Sequence, residues 1–118
     1  GMMKKILIVD DQSGIRFFLH ELFKERYDVV IAENGEQGLD YFHQNKFHLV
    51  LTDMNMPGLD GLGMIKEIRK VDHEIPILVM TAYQETDAVE QLQQLNVSGS
   101  ITKPFDIMDI QNLVQHYV

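Results

Sequence analysis

The sequence Ile-Leu-Ile-Val-Asp-Asp at residues 6–11 joins four apolar residues directly to two carboxylates. A short, continuous run of aliphatic residues is typical of a strand that is buried on both faces of a parallel sheet. A second stretch of this kind, Leu-Val-Leu-Thr-Asp at residues 49–53, also ends in a carboxylate. These stretches predict two buried strands that each deliver acidic side chains at their carboxyl ends.

The rest of the chain continues the same pattern on either side of these stretches. Apolar runs at 29–31, 75–80 and 99–102 predict three more strands. Segments with helical periodicity follow the five strands, at 13–26, 35–45, 62–71, 86–95 and 106–117. Asn34-Gly35 and Asp60-Gly61 place a capping side chain at a helix start, and Pro57-Gly58 suits a type II turn. Five alternating strand-helix units predict an α/β fold, a doubly wound parallel sheet covered by helices on both faces.

Length and composition are those of one ordinary globular domain. The chain has 118 residues, of which 45% are hydrophobic and 24% charged, so we expect a single domain over residues 1–118. We interpret Gly1 as a cloning remnant. There is no cysteine, which excludes disulfides and thiolate chemistry and favours the cytoplasm.

The charge balance limits the class of partner. Net charge is −8, which disfavours direct binding to nucleic acid because phosphate contacts need clustered Lys and Arg. No apolar run is long enough for a membrane span, so we expect no membrane partner. An acidic chain of this kind is better suited to a divalent cation.

Polar groups stand at the ends of four predicted strands. These are Asp10 and Asp11 after the first, Asp53 at the third, Thr81 at the fourth and Lys103 after the fifth. Each one alone has a structural explanation, as a helix cap, a turn residue or a solvated charge. Together they predict a site, because open parallel sheets bind ligands beyond the carboxyl ends of their strands.

The residue types at this edge suggest a particular chemistry. Two carboxylates about 4 Å apart repel by roughly 4 kcal/mol at an effective dielectric of 20, and a divalent cation removes that repulsion. Oxygen ligands with retained water suit Mg²⁺. Aspartate can act as a nucleophile toward phosphorus, so Asp53 is a candidate for forming an aspartyl phosphate.

Four motifs carry a resemblance that covers essentially the whole chain. They are Ile-Leu-Ile-Val-Asp-Asp at 6–11, Asp-Met-Asn-Met-Pro-Gly-Leu-Asp-Gly at 53–61, Met-Thr-Ala at 80–82 and Lys-Pro-Phe at 103–105. In these motifs the chain resembles the receiver domains of two-component response regulators. Its finer phrases, such as Val-Asp-Asp-Gln-Ser-Gly-Ile-Arg at 9–16, are similar to single-domain sporulation phosphorelay regulators of bacilli.

The resemblance implies a flavodoxin-like fold with strand order 2-1-3-4-5 and assigns roles at the site. Asp53 would be the phosphoacceptor. Asp11, Asp53 and the backbone carbonyl of Asn55 would bind Mg²⁺, for which Mn²⁺ could substitute, with Asp10 acting through water. The protein would be a phosphotransfer intermediate that catalyses its own phosphorylation and dephosphorylation.

The same resemblance implies roles for the residues around the phosphoryl group. Thr81 and Lys103 would contact its oxygens, and the peptide between Lys103 and Pro104 is usually cis in this family. Asn55 and Tyr83 flank the site and are candidates for setting the lifetime of the aspartyl phosphate. Many receivers carry an aromatic residue where this chain has Ser100, so we expect no aromatic switch there.

A docking surface for partners is expected next to the site. By resemblance, a helical bundle that carries phosphohistidine would bind residues near the first helix and after the fifth strand. The residues are Gly14, Ile15, Phe18, Pro104 and Phe105. A sensor histidine kinase, a histidine phosphotransferase or both are therefore the expected partners, and we expect a monomer.

Three other interpretations are open at this point. A haloacid-dehalogenase-type hydrolase would need an Asp-x-Asp pair after the first strand, whereas Asp10 and Asp11 are adjacent. A flavodoxin-like binding module that works without phosphorylation would need a phosphate loop rich in Ser, Thr and Gly there. The chain could also be the receiver fragment of a longer DNA-binding regulator. We prefer a stand-alone relay, because the chain closes with its fifth predicted helix.

Overall fold

The computed structural model describes residues 3–82 and 88–118, and strands and helices alternate throughout these ranges. Gly1 and Tyr83 lie outside the described residues, so the predictions made for them are not examined by the structure. None of the described helices is long and apolar enough to cross a membrane. The elements are β1 (Lys5–Val9), α1 (Ser13–Phe23), β2 (Asp28–Ala32), α2 (Gly35–Gln44), β3 (Leu49–Asp53), α3 (Gly61–Val71), β4 (Ile77–Thr81), α4 (Val89–Gln94), β5 (Gly99–Thr102) and α5 (Ile107–Tyr117).

The five described strands form one parallel sheet in the order β2-β1-β3-β4-β5. This confirms the predicted flavodoxin-like, doubly wound fold. The chain adds β2 on one side of β1 and β3 on the other side. The strand order therefore reverses between β1 and β3, which are hydrogen-bonded neighbours. Ligands of such sheets bind beyond the carboxyl ends of the strands at this switch point.

Alternate residues of each central strand enter two separate hydrophobic clusters. Leu7 and Val9 of β1 pack in one cluster with α2, α3 and α4, whereas Ile6 and Ile8 pack in the other with α1 and α5. All four side chains are fully buried. Burial on both faces explains why the strands read as continuous apolar runs instead of alternating patterns.

Two helix starts follow the predicted capping chemistry. Asn34 Oδ1 accepts a hydrogen bond from the backbone N–H of Gln37 at 2.8 Å, and Asp60 Oδ1 accepts one from Gly63 N–H at 2.8 Å. Gly58 has a φ of 74°, which a type II turn after Pro57 requires. The side chains at these positions therefore fix where α2 and α3 begin.

Two predicted boundaries are wrong by a few residues. The first helix ends at Phe23 instead of residue 26, because the chain turns there and Arg26 N–H donates to the Phe23 carbonyl at 3.1 Å. The fourth strand begins at Ile77 instead of residue 75, after Pro76, which has no N–H to give to a ladder. The predicted start of the fourth helix, at Thr86, lies outside the described residues.

The loop between β3 and α3 packs closely on its neighbours through glycines. A Cβ added at Gly61 would lie 2.3 Å from the carbonyl oxygen of Asp53, and one added at Gly35 would lie 2.3 Å from that of Leu59. Glu36 Oε2 also accepts a hydrogen bond from Leu59 N–H at 3.0 Å. The first turn of α2 therefore holds the loop that leads away from Asp53.

Candidate functional site

The polar residues predicted at the strand ends lie at one edge of the sheet. Asp10 directly follows β1, Asp53 is the last residue of β3, Thr81 is the last of β4 and Lys103 directly follows β5. All strands are parallel, so these are carboxyl ends at a common edge. The topology thus assembles side chains that are as far as 93 positions apart in sequence.

Three carboxylates form a compact cluster at this edge. One oxygen from each of Asp10, Asp11 and Asp53 lies within 4.8 Å of the other two. Asp10 is fully buried, Asp53 is 7% exposed, and Asp11 is exposed to solvent. Charges this close repel one another unless a cation joins them.

Lys103 supplies part of the counter-charge. Its Nζ lies 2.7 Å from Asp10 Oδ2 and 3.5 Å from Asp53 Oδ1. Asp10 Oδ1 accepts a further hydrogen bond from the backbone N–H of Gln12 at 2.8 Å. Because both oxygens of Asp10 already have partners, Asp11 and Asp53 are better placed than Asp10 to bind a metal directly.

The environment of Asp53 makes its carboxyl group a weaker acid than an ordinary aspartic acid. Burial raises the pKa of the Asp53 carboxyl, and the negative charges of Asp10 and Asp11 raise it further. The Lys103 ammonium and a hydrogen bond from the backbone of Asn55 act in the opposite direction. Since burial is the largest cause, additional positive charge beside the carboxylate would favour its ionised form.

This donor set fits Mg²⁺. The cluster offers hard carboxylate oxygens, and Asn55, two residues after Asp53, is exposed with its backbone beside the Asp53 carboxylate. An exposed Asp11 leaves room for the water molecules that Mg²⁺ usually retains. A divalent cation would also oppose the repulsion that raises the pKa of Asp53.

Other predicted site residues lie around the cluster. Thr81 is half-buried at the end of β4, where it pairs with Thr102 of β5. The peptide bond between Lys103 and Pro104 is cis, as the resemblance implies. Ser100, where we expected no aromatic switch, is exposed on β5.

Most residues of the predicted docking surface form an apolar cleft beside the carboxylates. Ile15 and Phe18 of α1 face Pro104 and Phe105 across a cleft of about 440 Å³, with Lys103 in its wall. The fifth member, Gly14, is exposed at the start of α1, with open space around its Cα. Gly14 therefore borders the cleft and does not line it.

Two residues that contact this region were not predicted from the sequence. Arg16 Nη1 donates a hydrogen bond to the backbone carbonyl of Asp10 at 2.8 Å. Thr52 Oγ1, which is fully buried, donates to the carbonyl of Asp53 at 2.9 Å. Both acceptors are backbone atoms, which have no signature in the sequence, so residue patterns alone could not reveal these partners.

Comparison with known proteins defines the class. A family model described as "Response regulator receiver domain" matches residues 6–115. The chain therefore belongs to the response regulator receiver domain family, in agreement with the resemblance in its motifs. Receiver domains bind Mg²⁺ at an acidic pocket, which in this chain is the cluster of Asp10, Asp11 and Asp53.

Two relatives of the chain differ in length. Sporulation initiation phosphotransferase F of Bacillus subtilis (strain 168) is 43% identical over 118 residues, with 99% of this chain and 95% of that protein covered. The probable transcriptional regulator ycf27 of Guillardia theta is 39% identical over 110 residues, with 92% of this chain but only 42% of that protein covered.

Solved structures agree with this assignment. The chemotaxis response regulator CheY4 of Vibrio cholerae has a TM-score of 0.91 at 25% identity, with 99% of this chain and 100% of that chain covered. The response regulator protein TrrA of Thermotoga maritima, solved in complex with Mg²⁺-BeF, has a TM-score of 0.85 at 35% identity, with 98% and 100% covered. These matches disfavour two of the alternatives, the haloacid-dehalogenase-type hydrolase and the flavodoxin-like binding module that works without phosphorylation.

Proposed function

We propose that this protein is a phosphorelay receiver that accepts a phosphoryl group on Asp53 and passes it to another protein. The observation that carries the proposal is the convergence of Asp10, Asp11 and Asp53 with Lys103 at the switch point of the sheet. The similarity to a sporulation initiation phosphotransferase supports the relay role. The expected donors and acceptors are histidine kinases and histidine phosphotransferases.

In the proposed reaction, a carboxylate oxygen of Asp53 attacks the phosphorus of a phosphohistidine. An O–P bond forms while the N–P bond breaks, and the histidine leaves with its electron pair. Lys103, 3.5 Å from Asp53 Oδ1, is placed to stabilise charge on the phosphoryl oxygens, with Thr81 as a hydroxyl donor from β4. Mg²⁺, held by Asp11, Asp53 and the Asn55 carbonyl, would favour the ionised form of Asp53 and neutralise phosphoryl charge. We propose Mn²⁺ as a substitute, since it accepts the same oxygen ligands.

The direct test is the intact mass of the protein after incubation with acetyl phosphate. We expect one phosphoryl adduct that requires both Mg²⁺ and Asp53, absent from Asp53→Ala and present in Asp40→Ala, which removes an exposed carboxylate on α2. An adduct on Asp53→Ala would move the acceptor elsewhere. No adduct on folded wild-type protein would instead favour binding without phosphorylation.

We further propose that the apolar cleft beside the site docks the phosphohistidine partner. Ile15 and Phe105 line this cleft, next to Lys103. Their replacement by Ala should slow transfer from a phosphohistidine protein at least tenfold while leaving phosphorylation by acetyl phosphate unchanged, because only the protein donor needs docking. Phe17→Ala is the matched control, since Phe17 is on α1, 68% exposed and not among the residues of the cleft wall. Equal loss with both donors would contradict a docking role.

A receiver segment of a longer DNA-binding regulator is the second candidate. It is supported by the match to a transcriptional regulator of which this chain spans 42%. Phosphorylation would then change contacts with a DNA-binding segment instead of feeding a relay. Incubating the phosphorylated protein with histidine phosphotransferases separates the two, because only a relay should return the phosphoryl group to histidine.

Several other expectations stay predictions. They are the monomeric state, the cytoplasmic location, the single-domain organisation, the absence of nucleic-acid contacts, and the effect of Asn55 and Tyr83 on the lifetime of the aspartyl phosphate.

A further inference from the structure

A basic cleft lies at the opposite edge of the sheet from the carboxylates. Helices α3 and α4 each connect the carboxyl end of one parallel strand to the amino end of the next, so their last turns lie at the amino edge. A cleft of about 580 Å³ opens between these two ends. Its wall includes the basic side chains of Lys66, Arg69, Lys70 and His73.

This concentration of positive charge runs against the composition of the chain. The protein has only 10 Lys and Arg residues and a net charge of −8, yet three of the ten line this one cleft. Lys66 lies three positions before Arg69 and four before Lys70, and His73 lies four positions after Arg69 and three after Lys70. Spacings of three and four bring side chains to the same side of a helix and the turn that continues it.

Arg69 gives the cleft a fixed cation. Its side chain is buried at 7% exposure, and Nε donates to the Leu95 carbonyl at 2.7 Å. Nη2 donates to the Asn96 carbonyl at 2.9 Å and Nη1 to the Asp72 carbonyl at 3.1 Å. In the described ranges these bonds use three of the five N–H groups of the guanidinium and include no carboxylate. Backbone carbonyls therefore hold the Arg69 charge in place, and the Asp72 carboxylate offsets part of that charge without forming a hydrogen bond to it.

The nearby carboxylates interact with the basic groups but also have other partners. Asp72 Oδ1 accepts hydrogen bonds from the backbone N–H groups of Glu74 and Ile75, both at 2.9 Å. Glu67 pairs with Lys70 at 2.6 Å on the surface of α3, where a solvated pair is weak and exchangeable. Lys66 and His73 have no ion pair within the part of the chain that the structure describes, and both are exposed.

We propose that this basic cleft binds a small oligophosphate anion, either free or as part of a nucleotide. Its volume lies in the range of small-molecule sites. The buried guanidinium would fix the anion at the base of the cleft, and the exposed lysines would close over it from α3. Basic residues at a helix end also offset the helix dipole, but that effect is confined to the last turn and does not account for Lys66 or for the cleft.

The test is a titration of the ¹⁵N-labelled full chain with pyrophosphate in the absence of Mg²⁺. Amide chemical shifts measured by NMR report the binding. We expect saturable shifts confined to the last turn of α3 and residues 94–96, with affinity that falls as salt is raised. Lys66→Gln/Lys70→Gln should bind at least fivefold more weakly. This variant should still take a phosphoryl group on Asp53, which shows that it is folded.

The matched control is Lys24→Gln/Lys46→Gln, which reaches the same net charge elsewhere on the surface. Lys24 forms an i,i+3 pair with Glu21, as Lys70 does with Glu67, and Lys46 is exposed like Lys66. The control should bind like the wild type. Equal weakening in both variants, or no saturable shifts at the cleft, would overturn the proposal.

ATP and adenosine, each titrated without Mg²⁺, distinguish the two sources of phosphate. Tighter binding of ATP than of pyrophosphate at the same amides supports a nucleotide, and equal binding supports a free oligophosphate. Binding of adenosine alone at these amides, with none of pyrophosphate, would overturn recognition through phosphate.

Discussion

At the scale of single residues, the ionised form of Asp53 opposes folding when no metal is bound. Burial raises the pKa of Asp53 in the folded protein, so the folded state holds its proton more tightly than the unfolded state does. Stability is therefore lost as the pH rises from the ordinary carboxyl pKa through the raised one. Asp53→Asn removes this titration. Without Mg²⁺ near neutral pH, we expect the free energy of unfolding of this variant to exceed that of the wild type by about 1 kcal/mol.

Urea denaturation across a pH series checks this prediction. The advantage of Asp53→Asn should shrink as the pH falls through the raised pKa, where the wild-type carboxyl becomes neutral. Asp40→Asn, at an exposed position on α2, should show no such pH dependence. A pH-independent difference for Asp53→Asn would mean that the gain has another cause.

Lys103 is expected to act on transfer and not on metal binding. Its Nζ lies near Asp10 and Asp53, whereas the exposed Asp11 is available to the metal from solvent. Lys103→Ala should keep Mg²⁺ affinity within a few-fold while lowering the rate of phosphorylation by acetyl phosphate about 10²-fold, the usual cost of losing one charge-stabilising donor. Adduct formation over time, with Mg²⁺ affinity measured by calorimetry, separates the two effects. Lys46→Ala is the control, and a proportional loss of Mg²⁺ affinity would contradict this division.

At the scale of helices and loops, Gly61 lets α3 start directly against the end of β3. A Cβ there would lie 2.3 Å from the Asp53 carbonyl oxygen and 2.8 Å from Met54 Cα, so the backbone would have to move. We expect Gly61→Ala to lower the free energy of unfolding by about 2 kcal/mol and to weaken Mg²⁺ binding. Gly14→Ala meets nothing within 4 Å and should gain about 0.5 kcal/mol from helix propensity. Urea denaturation of both variants tests the contrast, which similar losses would refute.

Arg69 connects α3 to the segment between α4 and β5. Its guanidinium bonds the carbonyls of Leu95 and Asn96, and Asn96 has a positive φ of 56° that Asn tolerates. Arg69→Ala would leave these carbonyls without their donor, and we expect a loss of about 3 kcal/mol in urea denaturation. Arg26→Ala, at an exposed turn position, should change stability by less than about 0.5 kcal/mol. A small effect at Arg69 would show that water replaces the guanidinium.

The positions of strands and helix starts were predicted correctly where neighbouring residues in the sequence determine them. The apolar runs of β1 and β3 and the caps Asn34 and Asp60 gave correct positions, because strand burial and capping depend on neighbouring residues. The end of α1 was wrong because residues 24–26 are compatible with a helix, and a turn stabilised by tertiary packing competes there. Contacts from Arg16 and Arg69 to backbone carbonyls were not predictable, since their acceptors have no residue signature.

At the scale of the whole molecule, the fold and the site follow from one topological fact. Parallel strands place all their carboxyl ends at one edge, so the residue types at strand ends were enough to predict the acidic cluster. The basic cleft at the other edge was not predicted, because its walls come from the ends of two helices. Sequence patterns therefore predict the polar residues at strand ends more readily than a cleft formed between the ends of two helices.

Mg²⁺ binding should stabilise the molecule as a unit. A ligand that binds only the folded state adds RT ln(1 + [L]/Kd), or about 2.7 kcal/mol at a hundredfold excess over Kd. The cluster draws on β1 and β3, the two neighbouring strands at the switch point, so the site exists only when the sheet is assembled. We therefore expect Mg²⁺ to shift the whole thermal unfolding transition, measured by circular dichroism, to higher temperature.

Asp11→Asn should lose most of this shift, because it removes an expected ligand, and Asp40→Asn should keep it. NaCl at equal ionic strength should stabilise much less; if it stabilises as much, general screening of the −8 charge, and not a metal site, explains the effect.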